Sequence, residues 1–134
     1  MPACSVVLDA SVILRAFVDA DQGAHAWFTR IDEEDVAAAW PDLVFAETAH
    51  GVARYVRTGR LTREEGLLVV HRALSAPVQS ERTGVLADAA VHVALARSIS
   101  AYDACYVVLA ETMKATLVTA DRRLAAATAT SVLI

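Results

Sequence analysis

Cys4-Ser5-Val6-Val7-Leu8-Asp9-Ala10-Ser11 is the stretch that decides the fold. An apolar run from Cys4 to Leu8 reads as a strand, stops at a carboxylate, and gives way to a helical pattern near Ala10. The same alternation continues along the chain. Val36 to Trp40 is a second short β run. After Pro41, Asp42 is placed to N-cap a helix carrying Leu43, Glu47, Val52 and Val56 and ending near Gly59. Thr62-Arg63-Glu64-Glu65 has the capping-box form and opens a helix with Leu67, Leu68, Val70 and Leu74 at its apolar positions. Pro77 to Ser80 reads as a third strand, and Gly84 to Arg97 as a helix with Leu86, Ala89, Ala90 and Val93 on one stripe. Ser100 opens a further helix, Thr116 to Thr119 is a strand directly after it, and Ser131 to Ile134 is a last strand at the sheet's edge. Strands alternating with helices imply an α/β fold in three α/β/α layers, with a central, mainly parallel sheet. In such folds a ligand site lies at the carboxyl ends of the strands.

Bulk composition agrees with one compact unit. The chain has 134 residues, 56% of them hydrophobic and only 21% charged, with a net charge of -4, which excludes intrinsic disorder. Mean hydropathy is +0.42, yet the uncharged stretch at the C-terminal end, Leu124 to Ile134, is too short to cross a bilayer. The surplus apolar material belongs to a core or to a second chain. Length sets one domain over residues 1–134 as the expectation. Met1 is followed at once by the strand-like run with no basic leader, and Cys4 and Cys105 lie inside apolar runs. Two buried free thiols in a reducing cytoplasm are therefore expected. A pI near 5.5 argues against gripping nucleic acid by overall charge, so such binding needs a local basic patch or metal ions. The acidic run Asp32-Glu33-Glu34-Asp35 reads as a solvated turn.

Four other acids stand where apolar residues belong. Asp9 follows Val6-Val7-Leu8, and Asp121 follows Leu117-Val118-Thr119-Ala120, which puts both at the crevice end of a parallel sheet. Asp103 shares a helical stripe with Tyr106, Val107 and Ala110, and Glu47 shares one with Leu43, Val44 and Gly51. An inward charge is costly to bury unpaired, and converging carboxylates repel. A divalent cation resolves both problems, and an oxygen-only donor set suits Mg²⁺ or Mn²⁺ better than zinc. Each acid alone has a plainer reading. Asp9 could be a helix cap, Glu47 a surface glutamate, Asp103 the partner of Ser100 in a capping box, and Asp121 a turn residue.

The order and setting of the four carry more than any one of them. Val7-Leu8-Asp9-Ala10-Ser11, Phe45-Ala46-Glu47-Thr48-Ala49, Ser100-Ala101-Tyr102-Asp103-Ala104 and Leu117-Val118-Thr119-Ala120-Asp121-Arg122-Arg123-Leu124 together resemble the four motifs of the PIN-domain ribonucleases. Within that family the chain is similar to the VapC toxins of toxin–antitoxin pairs. The resemblance implies a single PIN domain and metal-dependent cleavage of single-stranded or loop RNA. It assigns Asp9, Asp103 and Asp121 to one or two Mg²⁺ ions, or Mn²⁺. Glu47 would orient the attacking water or complete the metal shell, with Ser11 and Thr119 as supporting hydroxyls. It also implies a VapB-type antitoxin as partner, a homodimer, and no membrane.

Basic residues near these motifs, Arg54, Arg57, Arg60 and Arg63 after Glu47 and Arg122 and Arg123 after Asp121, are candidates to hold RNA or are plain solvated faces. The four histidines show no ligand spacing, and Trp27 and Trp40 read as packing residues. A receiver-type switch domain would need paired acids after the first strand and a lysine after the last. A dehalogenase-like phosphatase would need an aspartate in place of Ser11. The remaining alternatives are a catalytically idle binding module of the same fold and a housekeeping nuclease.

Overall fold

The computed structural model describes residues 4–134. Its strands are β1 (Ser5–Leu8), β2 (Ala37–Pro41), β3 (Gln79–Glu81), β4 (Thr116–Thr119) and β5 (Ser131–Leu133). Its helices are α1 (Ala10–Phe17), α2 (Gln22–Asp32), α3 (Leu43–Arg57), α4 (Arg63–Ser75), α5 (Thr83–Arg97), α6 (Ala101–Met113) and α7 (Arg122–Ala126). The strands form one sheet in the order β3-β2-β1-β4-β5, with every neighbouring pair parallel and β5 at an edge. The three-layer α/β/α expectation holds.

β1 is the centre of the fold. Val6, Val7 and Leu8 are fully buried, as a strand covered on both faces should be. From β1 the chain builds outward to β2 and β3, then returns to lay β4 on the other side of β1. The order reverses between β1 and β4, so a crevice opens beyond their carboxyl ends. Asp9 and Asp121 sit just past those two ends.

Two helices were not foreseen. Asp21 caps α2 by accepting from the Ala24 N–H at 2.9 Å, and Ala24, Phe28 and Ile31 are its buried face. α7 is a five-residue turn of helix in the alanine-rich stretch, capped by Asp121. The expected Asp42 cap is exchanged between helices. Its carboxylate accepts from the backbone N–H (3.0 Å) and hydroxyl (2.6 Å) of Thr83 at the start of α5, while the Thr83 hydroxyl accepts from Leu43 N–H at 3.2 Å. The Thr62–Glu65 capping box forms as the sequence implies.

The stripe assigned to α4 is corrected. Leu67, Leu68 and Leu74 are exposed, and the buried positions are Gly66, Val69 and Ala73. Small residues let α4 lie close on α3, and the leucines on its other faces turn outward. On α5, Leu86 and Ala90 are buried, but Ala89 is exposed and Val93 half-buried. Cys105 is buried and unpaired, whereas Cys4 is exposed rather than buried, because it precedes the first paired strand residue. The acidic run 32–35 is exposed around the end of α2, with Glu34 in the left-handed region at φ 60°. No single helix among the described residues is long and apolar enough to cross a membrane.

Gly66 makes the α3–α4 contact possible. A Cβ there would stand 2.7 Å from Val52 Cγ1 and 3.2 Å from Val56 Cγ2, both on stiff β-branched side chains. Gly66→Ala gains about 1 kcal/mol of helix propensity but overpacks this contact, which typically costs about 1–3 kcal/mol. The melting temperature of Gly66→Ala is therefore expected to fall by a few degrees in a thermal denaturation scan. A rise would show that α4 has room to move away from α3.

Candidate active site

Asp9 is the most constrained carboxylate in the protein. It is only 7% exposed, and it ends β1 as the N-cap of α1. Oδ1 accepts from the Ser11 backbone N–H at 3.1 Å and from the Ser11 hydroxyl, and Oδ2 accepts from the Thr119 hydroxyl at 2.8 Å. The same hydroxyls tie the neighbouring turn in place. Ala120 N–H donates to Ser11 Oγ at 2.9 Å, and Asp121 N–H donates to Thr119 Oγ1 at 2.9 Å. Ser11 and Thr119 therefore lock the β1–α1 and β4–α7 turns to each other through Asp9. Burial pushes the Asp9 carboxyl above the ordinary range, and these hydrogen bonds oppose the shift.

Helix starts place two more acids. Asp103 lies in the first turn of α6, whose N-cap Ser100 accepts from the Asp103 backbone N–H at 3.0 Å. Asp121 caps α7, accepting from Arg123 N–H at 2.8 Å and Leu124 N–H at 3.3 Å. The partial positive charge of a helix N-terminus favours a carboxylate there; at Asp121 the cap bonds also fix the carboxylate's direction, whereas at Asp103 the cap bond engages the backbone N–H. The plainer reading of Asp9 as a cap is thus realised together with its place at the crevice, and Asp121, read as a turn residue, caps α7 instead. Burial, then the neighbouring Asp121, raises the Asp103 carboxyl, against weaker opposition from Ser100 and Arg123.

Glu47 has no such support, because it lies beyond the first turn of α3. A phenol serves instead. Tyr106, buried on α6, donates its hydroxyl hydrogen to Glu47 Oε1 at 2.6 Å. Burial raises the Glu47 carboxyl, the Tyr106 hydrogen bond opposes this, and the charges of Asp9 and Asp103 add to the rise. Burial, followed by the charge of Glu47, holds Tyr106 firmly in its protonated form, so it remains a donor.

All four acids line one cavity of about 690 Å³. α1, α3 and α6 wall it, and Gly51 lets α1 approach α3, since a Cβ on Gly51 would meet Leu14 Cδ1 at 2.6 Å. The four acids offer oxygen donors only, beside one imidazole, His50, on the wall. Among the described residues, no three Asp, Glu, His or Cys side chains are gathered closely enough to enclose an ion by themselves. Carboxylates standing apart across a cavity, with Glu47 and Asp103 raised first by burial and then by neighbouring carboxylates, suit a hard cation that keeps several waters and takes few protein ligands. Mg²⁺ and Mn²⁺ fit that description, and zinc with its nitrogen and sulfur preference does not.

The basic candidates separate. Arg54 lines the acid cavity, and Arg123 lies near enough to Asp103 to lower its pKa. Arg57 lines a different groove, shared with Arg63 between α3 and α4, and Arg60 is paired with Asp19 at 2.6 Å. Arg122 is exposed at the start of α7 and is not part of the cavity wall. His50 belongs to the wall, while Trp40 is buried with its indole N–H on Ser80 Oγ at 3.0 Å. Sequence reasoning overlooked Tyr102, Tyr106 and His50 as cavity residues. The available signal was helical spacing, since Tyr102 and Tyr106 flank Asp103 on one face of α6, and His50 follows Glu47 by three.

Comparison with known proteins followed the same lines. The chain matches the PIN domain over residues 6–129. Among solved structures it is similar to PAE2754 from Pyrobaculum aerophilum, at 26% identity over 96% of this chain and 90% of that one, with a TM-score of 0.76. VapBC2 from Rickettsia felis, bound to a DNA fragment from their promoter, is 15% identical over 87% of each chain, with a TM-score of 0.64. FitAcB from Neisseria gonorrhoeae is 20% identical over 96% of each chain, with a TM-score of 0.60. The last two likenesses concern the fold. No curated protein matches the sequence.

Proposed function

Because the chain belongs to the PIN-domain family, we propose that it is a divalent-metal-dependent endoribonuclease and the toxin of a VapBC-type toxin–antitoxin pair. The observation that carries this reading is the convergence of Asp9, Glu47, Asp103 and Asp121, from four separate elements, on one cavity at the sheet's switch point. Asp9, Asp103 and Asp121 would hold Mg²⁺ or Mn²⁺. When bound, the ion polarises the scissile phosphate, lowers the pKa of water and offsets the negative charge that the acids present to RNA.

The chain's own residues do the rest. Ser11 and Thr119 hold both oxygens of Asp9, so that carboxylate enters the reaction already oriented. Tyr106 holds Glu47 toward the cavity, and its hydrogen bond favours the ionised carboxylate that would orient a water and take its proton. The cap bonds of α7 hold the Asp121 carboxylate, and the start of α6 places Asp103 on the cavity wall.

The protein works as a single PIN domain over residues 1–134, in the cytoplasm, as a homodimer neutralised by a VapB-type antitoxin. Likeness to VapBC2 and FitAcB supports the antitoxin partner. Leu67, Leu68 and Leu74 on α4 and Val85, Val91 and Leu95 on α5 are exposed apolar surface of the kind that protein contacts cover. Induced expression without an antitoxin is expected to arrest bacterial growth, and expression of Asp103→Asn is not. Harmless expression of the unaltered chain would remove the toxin role and leave a housekeeping nuclease or a binding module.

A further inference from the structure

The acid cavity has a second chemistry on its rim. Tyr102, in the first turn of α6, is 69% exposed, although it lines the same cavity as Asp9, Asp103 and Asp121. Tyr106, one turn further on, faces the cavity floor and spends its hydroxyl on Glu47. Tyr102 has no side-chain hydrogen bond and no aromatic partner among the described residues. An aromatic ring left uncovered beside a phosphodiesterase site offers a face to whatever lies next to the scissile phosphate.

The facing wall supplies a cation. Ala46, Glu47, His50 and Arg54 form one face of α3 along the cavity, so its chemistry runs from carboxylate to imidazole to guanidinium. Seven residues of helix set Arg54 about 10 Å along the axis from Glu47. Arg15, Arg30, Arg60, Arg72 and Arg97 are each paired with a carboxylate, while Arg54 pairs with none among the described residues. A chain of net charge -4 needs such local cations if it is to hold a polyanion.

We infer that Tyr102 and Arg54 form a nucleotide subsite beside the four acids, in which one unstacked RNA base lies on the Tyr102 ring and a flanking phosphate meets Arg54. The inference rests on the ribonuclease reading and adds to it the two side chains that take the nucleotide next to the cleaved bond. Single-stranded RNA suits the site because its bases are free to leave the stack, and stacking on an aromatic ring is tolerant of sequence. Duplex RNA keeps its bases inside and does not reach the ring.

The test uses the purified full chain and a fluorescently labelled adenosine hexamer, beside the same hexamer with abasic riboses, in fluorescence anisotropy. Tyr102→Ala is expected to weaken binding of the adenosine hexamer about tenfold, while Tyr102→Phe stays within twofold of the parent. Neither variant changes binding of the abasic hexamer. Arg54→Ala is expected to weaken both ligands alike and to flatten the salt dependence by about one charge. In cleavage of single-stranded RNA, Tyr102→Ala raises KM and leaves kcat within about twofold. Equal binding by the parent chain and Tyr102→Ala would overturn the subsite, as would an equal loss on the abasic ligand or a loss in Tyr102→Phe as large as in Tyr102→Ala. A parent chain that binds the hexamer as expected but never cleaves RNA would overturn the ribonuclease reading alone.

Discussion

Asp9→Asn protein is expected to lose RNA cleavage by about 100-fold and to keep its fold. Asp9 sits at the switch point of the sheet with both oxygens committed, one to Ser11 and one to Thr119. Asparagine has the same shape. Its neutral amide also suits a position where burial already disfavours charge. What it removes is the anionic oxygen that a hard divalent ion requires. Single-turnover cleavage of a labelled single-stranded RNA, run beside a circular-dichroism melt, separates lost chemistry from lost structure. A cleavage rate unchanged in a folded variant would reduce Asp9 to the cap of α1.

The second large effect is that of Tyr106→Phe, in which activity falls about 10- to 100-fold, the range typical for partners that orient an active-site ligand. Phenylalanine fills the same buried space, so the packing of α6 survives. The loss falls on Glu47, whose Oε1 no longer receives the 2.6 Å hydrogen bond. That bond favours the ionised carboxylate, and burial and the charges of Asp9 and Asp103 oppose it. Removing it raises the Glu47 pKa further. The role proposed for Glu47 needs the ionised form, so the acid limb of the pH–rate profile is expected to move to higher pH in Tyr106→Phe. A variant with lower activity but an unmoved acid limb would show that Tyr106 acts on something other than Glu47.

Much of the fold was legible because the strands are short, apolar and followed at once by helix signals. β1, β4 and the Thr62 capping box follow directly from local residue type. The failures have specific physical causes. α2 was missed although Asp21, Ala24, Phe28 and Ile31 hold the cap and face of a helix, because the acidic run after it drew the reading toward a turn. α4 was assigned the wrong face because its leucines were taken as core, when the helix packs through Gly66, Val69 and Ala73. Apolar periodicity marks a helix but does not say whether its neighbour wants bulk or closeness. Asp42 shows the same limit at a cap, since its partner Thr83 lies 41 residues away.

The four acids were legible as acids out of place. The cap expected of Asp9 proved compatible with the cavity, and Asp121, expected only in a turn, caps α7 and lines the cavity as well. What sequence spacing did not disclose is how each carboxylate is held. The Tyr106–Glu47 bond spans 59 residues, and the Thr119–Asp9 bond spans 110, so both depend on the sheet order. The apolar surplus divides in the same way, with β1 and β4 at the core and the leucines of α4 outside it.

The most direct test is cleavage of single-stranded RNA by the purified chain in Mg²⁺, after chelation, and after Mg²⁺ is restored, with Asp9→Asn and Asp103→Asn alongside. The account predicts cleavage that stops with the chelator, returns with the ion, and is lost in both variants. Cleavage that persists through chelation, or that survives both substitutions, would contradict it.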